Sequence, residues 1–207
     1  MAISPPLLAH VPEWLDLAGI AVFAASGALA AARARQTLVT FAFFAVVTGT
    51  GGGTLRDLLI DAPVFWIHDN RALAVCLIMA LAVWATPAGW WRPRALDWFD
   101  AVGLACYAVY GAAKALTFGV PPLAAAMMGV VTGCCGGIIR DVLAGEPSIL
   151  LRPEIYVTAA ALAAGLFVGL LLLGLALPAA AVIAAMAGFA LRAVAIAWGL
   201  GLPTYRG

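Results

Sequence analysis

The sequence predicts an all-α membrane protein: seven transmembrane helices, arranged as a 3+3 inverted repeat with a seventh helix added. Three observations lead there. The chain has 207 residues, of which 65% are hydrophobic and 10% charged, with a mean hydropathy of +1.07. A soluble domain of this size carries about 25% charged residues. Seven stretches are apolar and long enough to cross a bilayer. Finally, one passage occurs twice. Thr48-Gly49-Thr50-Gly51-Gly52-Gly53-Thr54-Leu55-Arg56-Asp57 returns 84 residues later as Thr132-Gly133-Cys134-Cys135-Gly136-Gly137-Ile138-Ile139-Arg140-Asp141.

A helix needs about 20 apolar residues to span the hydrocarbon core. The candidates run over 14–33, 37–60, 72–91, 98–118, 121–144, 154–175 and 178–200. The links between them are too short for a soluble domain, so residues 1–207 form one transmembrane domain. Repeat 1 covers about 12–91, repeat 2 about 96–175, and the extra helix about 178–200. The same offset pairs Trp14 with Trp98, Asp16 with Asp100, Gly19 with Gly103, Gly27 with Gly111 and Pro63 with Pro147. Three spans per copy is an odd number, so the second copy enters the bilayer upside down, as in many transport proteins. Arg33, Arg35, Arg92, Arg94, Arg152 and Arg206 fall on one side; Arg71 falls on the other, with Arg56 close to that end. The positive-inside rule makes the first side cytoplasmic, with the N-terminus outside and the C-terminus inside. The expected location is the cell inner membrane, as a multi-pass protein in contact with lipid. Met1–His10 lacks the basic start and apolar run of a signal peptide, so the first span is expected to be a mature helix. A net charge of +1 gives no electrostatic footprint for nucleic acid, and no such partner is expected.

The second and fifth spans carry the polar groups of interest. Gly49, Gly51, Gly52 and Gly53 interrupt the second, and Gly133, Gly136 and Gly137 the fifth. Each glycine costs about 1 kcal/mol relative to alanine in a helix interior. The runs therefore predict that these two helices kink or break, and a break exposes backbone groups that must face protein or a hydrated cavity. Placed against each other at the pseudo-two-fold axis, the breaks would line a polar path. Close helix packing is the other reading, and it suits scattered residues such as Gly19, Gly27, Gly103 and Gly111. Arg56-Asp57 and Arg140-Asp141 follow the glycines by about one turn, one pair toward each mouth. They either set the field at the two entrances or brace the broken helices. Sequence neighbours do not face each other on a helix. Each side chain is thus expected to pair elsewhere, with Asp16 and Asp100 as candidate partners.

Lys114 is the only lysine, on the fourth span, where its repeat counterpart is Ala30. It is either a snorkelling side chain or a charge that lines or gates the path. Thr48, Thr50, Thr54, Thr132, Ser26, Tyr107 and Tyr110 bring hydroxyls to a similar depth. Trp14, Trp66, Trp90, Trp91 and Trp98 fall near span ends, as an interfacial belt would. Cys76, Cys106, Cys134 and Cys135 read as small buried residues, and no metal site is expected. His10 and His68 lie in predicted links. No nucleophile–base pair can be assembled, which argues against an enzyme.

The two glycine passages ending in Arg-Asp, the seven spans and the three-plus-three repeat resemble the trimeric intracellular cation (TRIC) channel family, in its prokaryotic branch. The resemblance covers nearly the whole chain. It implies a homotrimer in which each protomer carries its own potassium-permeable pore, with no cofactor. Potassium is the permeant ion, and sodium permeation and a bound lipid are left open. Gly51, Gly52, Gly53, Gly136 and Gly137 match the glycines that bend helices around the pore, although Cys135 stands at the position matching Gly51. Lys114 matches a basic residue linked to gating. Members of the same broad family are also described as small-amino-acid transporters, so a carrier stands as the alternative.

Overall fold

The computed structural model describes residues 13–91 and 94–205, apart from the side chains of 13–15 and 88. His10, Arg92 and Arg206, and the side chain of Trp14, therefore lie outside the described residues. Eight helices follow in order: α1 Glu13–Arg33, α2 Leu38–Leu59, α3 Phe65–His68, α4 Asn70–Ala85, α5 Ala95–Thr117, α6 Pro122–Ala144, α7 Val157–Leu172 and α8 Leu177–Trp198. Seven match the expected spans. The short α3 was not anticipated; its counterpart in the second repeat is a 3-10 turn over Ile149–Leu151.

Helix ends follow local chemistry. The Thr37 side chain accepts from the Thr40 amide at the start of α2, and Asp69 does the same for Arg71 at the start of α4. Pro122 opens α6, and Gly145 closes it in the left-handed region at φ 70°. The third span stops at Ala85 rather than running to 91, because Pro87 cannot continue the helix.

Four helices are long and apolar enough to cross a membrane: α1, α2, α6 and α8. Helix α5 is as long but carries Asp97, Asp100 and Lys114. Helices α4 and α7, at 16 residues, are about 24 Å long and shorter than the hydrocarbon core. Val39, Leu58, Leu123, Leu173 and Val182 all point outward, each more than 60% exposed. Around a bundle this apolar, such surface faces lipid, and the protein is an all-helical membrane protein.

The core divides by repeat. One cluster joins α1, α2 and α4 around Ile20, Phe23, Phe44 and Cys76, with Leu96 and Tyr107 of α5 reaching into it. The other joins α5, α6, α7 and α8 around Leu104, Tyr156, Phe167 and Ala184. Helices α2 and α6 pack together between them.

The expected breaks are absent: α2 and α6 stay helical through both glycine runs. The glycines serve close approach instead. A methyl group on Gly52 would collide with the Thr132 carbonyl oxygen, and one on Gly136 with the Thr48 carbonyl. The contact is reciprocal under the repeat. Gly19 makes room for the Tyr107 ring and Gly103 for the Phe23 ring, again as a matched pair. Intrahelical hydrogen bonds are kept, and backbone proximity between helices offsets the glycine penalty.

Candidate functional site

Each repeat ends its glycine helix in the same clasp. In the first, Arg56 Nε donates to Asp57 Oδ1 at 2.8 Å, and Nη2 lies 2.7 Å from the same oxygen. Asp57 Oδ2 accepts from the Phe65 amide at 3.2 Å. In the second, Arg140 Nε and Nη2 donate to Asp141 Oδ1 at 2.9 and 2.7 Å, and Asp141 Oδ2 accepts from the Ile149 amide at 2.9 Å. Adjacent residues do pair here, contrary to the expectation. The arginine side chain is long enough to fold back over its neighbour, and the second carboxylate oxygen ties down the turn that follows.

What completes each clasp differs. At the first, Lys114 Nζ lies 2.9 Å from Asp57 Oδ1 and 3.0 Å from Oδ2, and 5.9 Å from the centre of the Phe65 ring. Lys114 therefore does not snorkel; its side chain is 18% exposed and ion-paired. The Arg56 guanidinium stands 5.3 Å from the Tyr110 ring centre, and its Nη1 is buried without a hydrogen-bond partner among the described residues. Asp16 is not joined to Arg56 by a hydrogen bond; it accepts from the Tyr107 hydroxyl at 2.9 Å.

At the second clasp, Arg140 Nη1 donates to Asp100 Oδ1 at 2.6 Å and to the Ser26 hydroxyl. Asp100, one of the two candidate partners, thus pairs with Arg140. Ser26 and Tyr110 are repeat counterparts, so one position holds a hydroxyl at one end and an aromatic ring at the other. Gly137 leaves room for the Tyr156 hydroxyl and Asp100, which a methyl group would meet at 2.6 and 3.1 Å. Behind Tyr156, the Arg192 guanidinium lies 5.4 Å from its ring centre, donates to Glu154 at 2.6 Å and to the Ile155 carbonyl at 3.3 Å. Neither Tyr156 nor Arg192 was expected. A lone arginine inside the last apolar span was the signal available for Arg192.

A cavity of about 300 Å³ opens at this second end. Its apolar wall is Ala30, Ala34, Leu96, Ala144 and Ile149, and its charged groups are Arg33, Arg140, Arg152, Asp97, Asp141 and Glu146.

Of the hydroxyls, Thr50, Thr54 and Thr132 bond carbonyls of their own helices at 2.8, 2.8 and 2.6 Å. The buried Thr48 hydroxyl has no hydrogen-bond partner among the described residues. Gly49 faces Cys76 and Ile20, Gly133 faces Leu104, Gly53 faces Phe65, and Gly51 faces only the end of Ile139. Trp66 and Trp91 donate their indole N–H groups to Thr54 and Thr86. No cluster of metal-binding side chains is present among the described residues.

Comparison with known proteins agrees with this architecture. A family model described as "Glycine transporter" matches residues 13–88 and again 97–172, two stretches separated by the repeat offset. A UPF0126 membrane protein of Vibrio cholerae is 40% identical over 92% of this chain and 81% of its own length. The UPF0126 inner membrane protein YadS of Escherichia coli K12 is 39% identical over 93% of this chain and 95% of its own. Among solved structures, a TRIC orthologue from Rhodobacter sphaeroides superposes with a TM-score of 0.84 at 40% identity, covering 91% of this chain and 98% of that one. A prokaryotic TRIC channel crystallised in 0.5 M KCl has the same TM-score at 27% identity, with 92% and 98% covered. None of these relatives is named as an enzyme. Matching that family model twice, and sharing its fold and two-fifths of its residues with a prokaryotic TRIC protein, the chain belongs to the TRIC channel family, in its prokaryotic branch.

Proposed function

We propose that the chain is a monovalent-cation channel, permeable to potassium and less selectively to sodium, with a path inside each protomer beside the α2–α6 contact. The observation that carries this reading is the 40% identity to the Rhodobacter TRIC orthologue over nearly the whole chain. The charged clasps suit it: Lys114 bonded to Asp57 closes one end, and its release would open that end. The glycines of α2 and α6 bring these helices together beside the path, and Arg56, Asp57, Arg140 and Asp141 hold its ends. No Thr-Val-Gly-Tyr-Gly filter is present in the sequence, so weak discrimination between potassium and sodium follows. The protomers assemble as a homotrimer in the inner membrane, with the cavity end cytoplasmic. That side carries Arg33, Arg94 and Arg152. Unitary potassium currents in a planar bilayer test the reading; purified trimer giving no cation flux at any voltage would refute it.

A carrier is the second reading, favoured by the family model's description as a glycine transporter. Saturable glycine uptake without unitary current steps would select it over the channel.

A further inference from the structure

The first repeat leaves one bond of the second unmade. Asp16 and Asp100 are counterparts, as are Arg56 and Arg140. In the second repeat, Arg140 Nη1 donates to Asp100 Oδ1 at 2.6 Å. In the first, the same nitrogen of Arg56 is buried, on a side chain 1% exposed, and has no hydrogen-bond partner among the described residues. The Asp16 carboxylate instead accepts from the Tyr107 hydroxyl at 2.9 Å. The sequence accounts for the difference. The residue matching Tyr107 is Phe23, whose ring packs where Gly103 makes room, as Tyr107 does at Gly19. Phe23 offers Asp100 no hydroxyl, and Asp100 goes to its arginine.

The two partners open to Asp16 stand side by side. Tyr107 and Tyr110 lie about one turn apart on α5, with ring centres separated by 5.8 Å. The first holds the carboxylate, and the Arg56 guanidinium lies 5.3 Å from the ring centre of the second. Helices α1 and α2, which carry Asp16 and Arg56, pack against each other. The Tyr107 hydroxyl also lies 3.0 Å from the Asp16 carbonyl oxygen. It has one proton, so it serves one of these two acceptors at a time. If the carboxylate swings to Arg56, the hydroxyl turns to the carbonyl and stays bonded. The orphaned nitrogen gains an acceptor, and the carboxylate exchanges a neutral donor for a charged one. We propose that Asp16 is a two-position switch: it rests on Tyr107 in this structure and passes to Arg56 Nη1 in a second arrangement that copies the Asp100–Arg140 bond. Tyr107 is the positioning residue that sets the balance. In the second arrangement Arg56 is shared between Asp16 and Asp57, and α1 is tied to α2 as α5 is tied to α6. The switch does not depend on whether the chain conducts ions or carries solute.

Thermal melting of the full-length protein in one detergent is the test. Tyr107→Phe copies Phe23 and removes the competing hydroxyl. Asp16→Asn is then placed in wild type and in Tyr107→Phe, each with Arg56 intact and with Arg56→Gln. In Tyr107→Phe the carboxylate is expected on Arg56. There Asp16→Asn should lower the melting temperature by about 3 °C or more, and most of that loss should vanish when Arg56→Gln is also present. In wild type the loss that depends on Arg56 should be less than about half as large. A carboxylate that cannot reach Arg56 is stranded by Tyr107→Phe, and Asp16→Asn then leaves the melting temperature unchanged or raises it. That outcome overturns the proposal. An Arg56-dependent loss of equal size in both backgrounds also overturns it, since Asp16 would then sit on Arg56 throughout. The direction of the Asp16→Asn shift in Tyr107→Phe is read with Arg56 intact, so it decides the question even if Arg56→Gln fails to assemble. Melting is read without current, so a preparation that fails to conduct potassium still gives the answer.

Discussion

At one end of the bundle Asp57 is held by Arg56, the Phe65 amide and Lys114; at the other, Asp141 is held by Arg140 and the Ile149 amide, and Arg140 reaches on to Asp100 and Ser26. The shared part is old geometry, duplicated with the repeat: an arginine folded onto the next residue and a carboxylate tying down the following turn. The added parts separate the two ends by how densely they are bonded. Arg140 is bonded to three side chains on three helices and backed by Tyr156 and Arg192. Among the described residues Arg56 is bonded only to its neighbour, faces a ring, and keeps one buried nitrogen without a hydrogen-bond partner. Its carboxylate partner is shared with a partly exposed lysine on another helix. The Arg140 end is the more densely bonded of the two, and the Lys114 end is held by fewer side chains.

The comparison breaks most readily at the axis where the repeats meet. Gly52→Ala and Gly136→Ala each drive a methyl group into the opposing backbone, which has no side chain to move aside. Each is expected to cost about 3 kcal/mol or more, and to reduce the yield of assembled protein in mild detergent. Gly51→Ala meets only the end of Ile139 at 3.1 Å, and is expected to be neutral or to gain up to about 1 kcal/mol from helix propensity. Equal losses at Gly51 and Gly52 would mean that helix bending, not close approach, is what the glycines serve.

The arginines come next. Arg140→Ala leaves Asp100 and Asp141 buried without their guanidinium, a loss of about 3–5 kcal/mol. Arg56→Ala leaves Asp57 still paired with Lys114, and should cost roughly half as much. Thermal melting of both variants in the same micelle checks the order, and a reversed order would undo the ranking of the two ends.

Much of this was legible before the structure. The repeat offset, the spans and Asp100 as one of two candidate partners for the Arg-Asp pairs follow from the sequence, because hydrophobic length and internal duplication are read directly from it. The behaviour of the glycines was not. Whether a glycine run bends a helix or lets a neighbour approach depends on what lies across from it, here the Thr48 and Thr132 carbonyls. Ser26 meeting Arg140 joins residues far apart in the chain, and its counterpart at Arg56 is the Tyr110 ring rather than a hydroxyl; Arg192 stacking on Tyr156 has no repeat counterpart to announce it. The cavity was invisible for the same reason, since its walls come from α1, α5 and α6.

Lys114→Ala sharpens the comparison without dismantling the fold. Asp57 keeps its bonds to Arg56 and Phe65, so the protein should assemble and lose about 1 kcal/mol or less, as for other partly exposed ion pairs. Open probability or unitary conductance should rise, because the tie across that end is gone. Single-channel recording separates the two: longer openings identify a latch, and a larger unitary step identifies a charge in the path. Wild-type values of both at every voltage would remove Lys114 from gating.

The smallest effect tests whether the first repeat can be rewritten as the second. Trp66 Nε1 donates to the Thr54 hydroxyl at 2.8 Å, and the matching residues at the other end are Leu150 and Ile138, an apolar pair. One hydrogen bond of this kind contributes about 0.5–1.5 kcal/mol net, and its loss hurts most when one partner is left buried alone. Trp66→Leu alone strands part of the hydroxyl's bonding, although Thr54 still donates to the Thr50 carbonyl. The double variant Thr54→Ile, Trp66→Leu removes both partners and copies a pairing that the fold already tolerates. It should therefore be at least as stable as Trp66→Leu alone, by a few tenths of a kcal/mol in a double-mutant cycle. A double variant well below the sum of the single losses would show that the turn after α2 needs its polar contact because, unlike its counterpart, it sits beside Lys114.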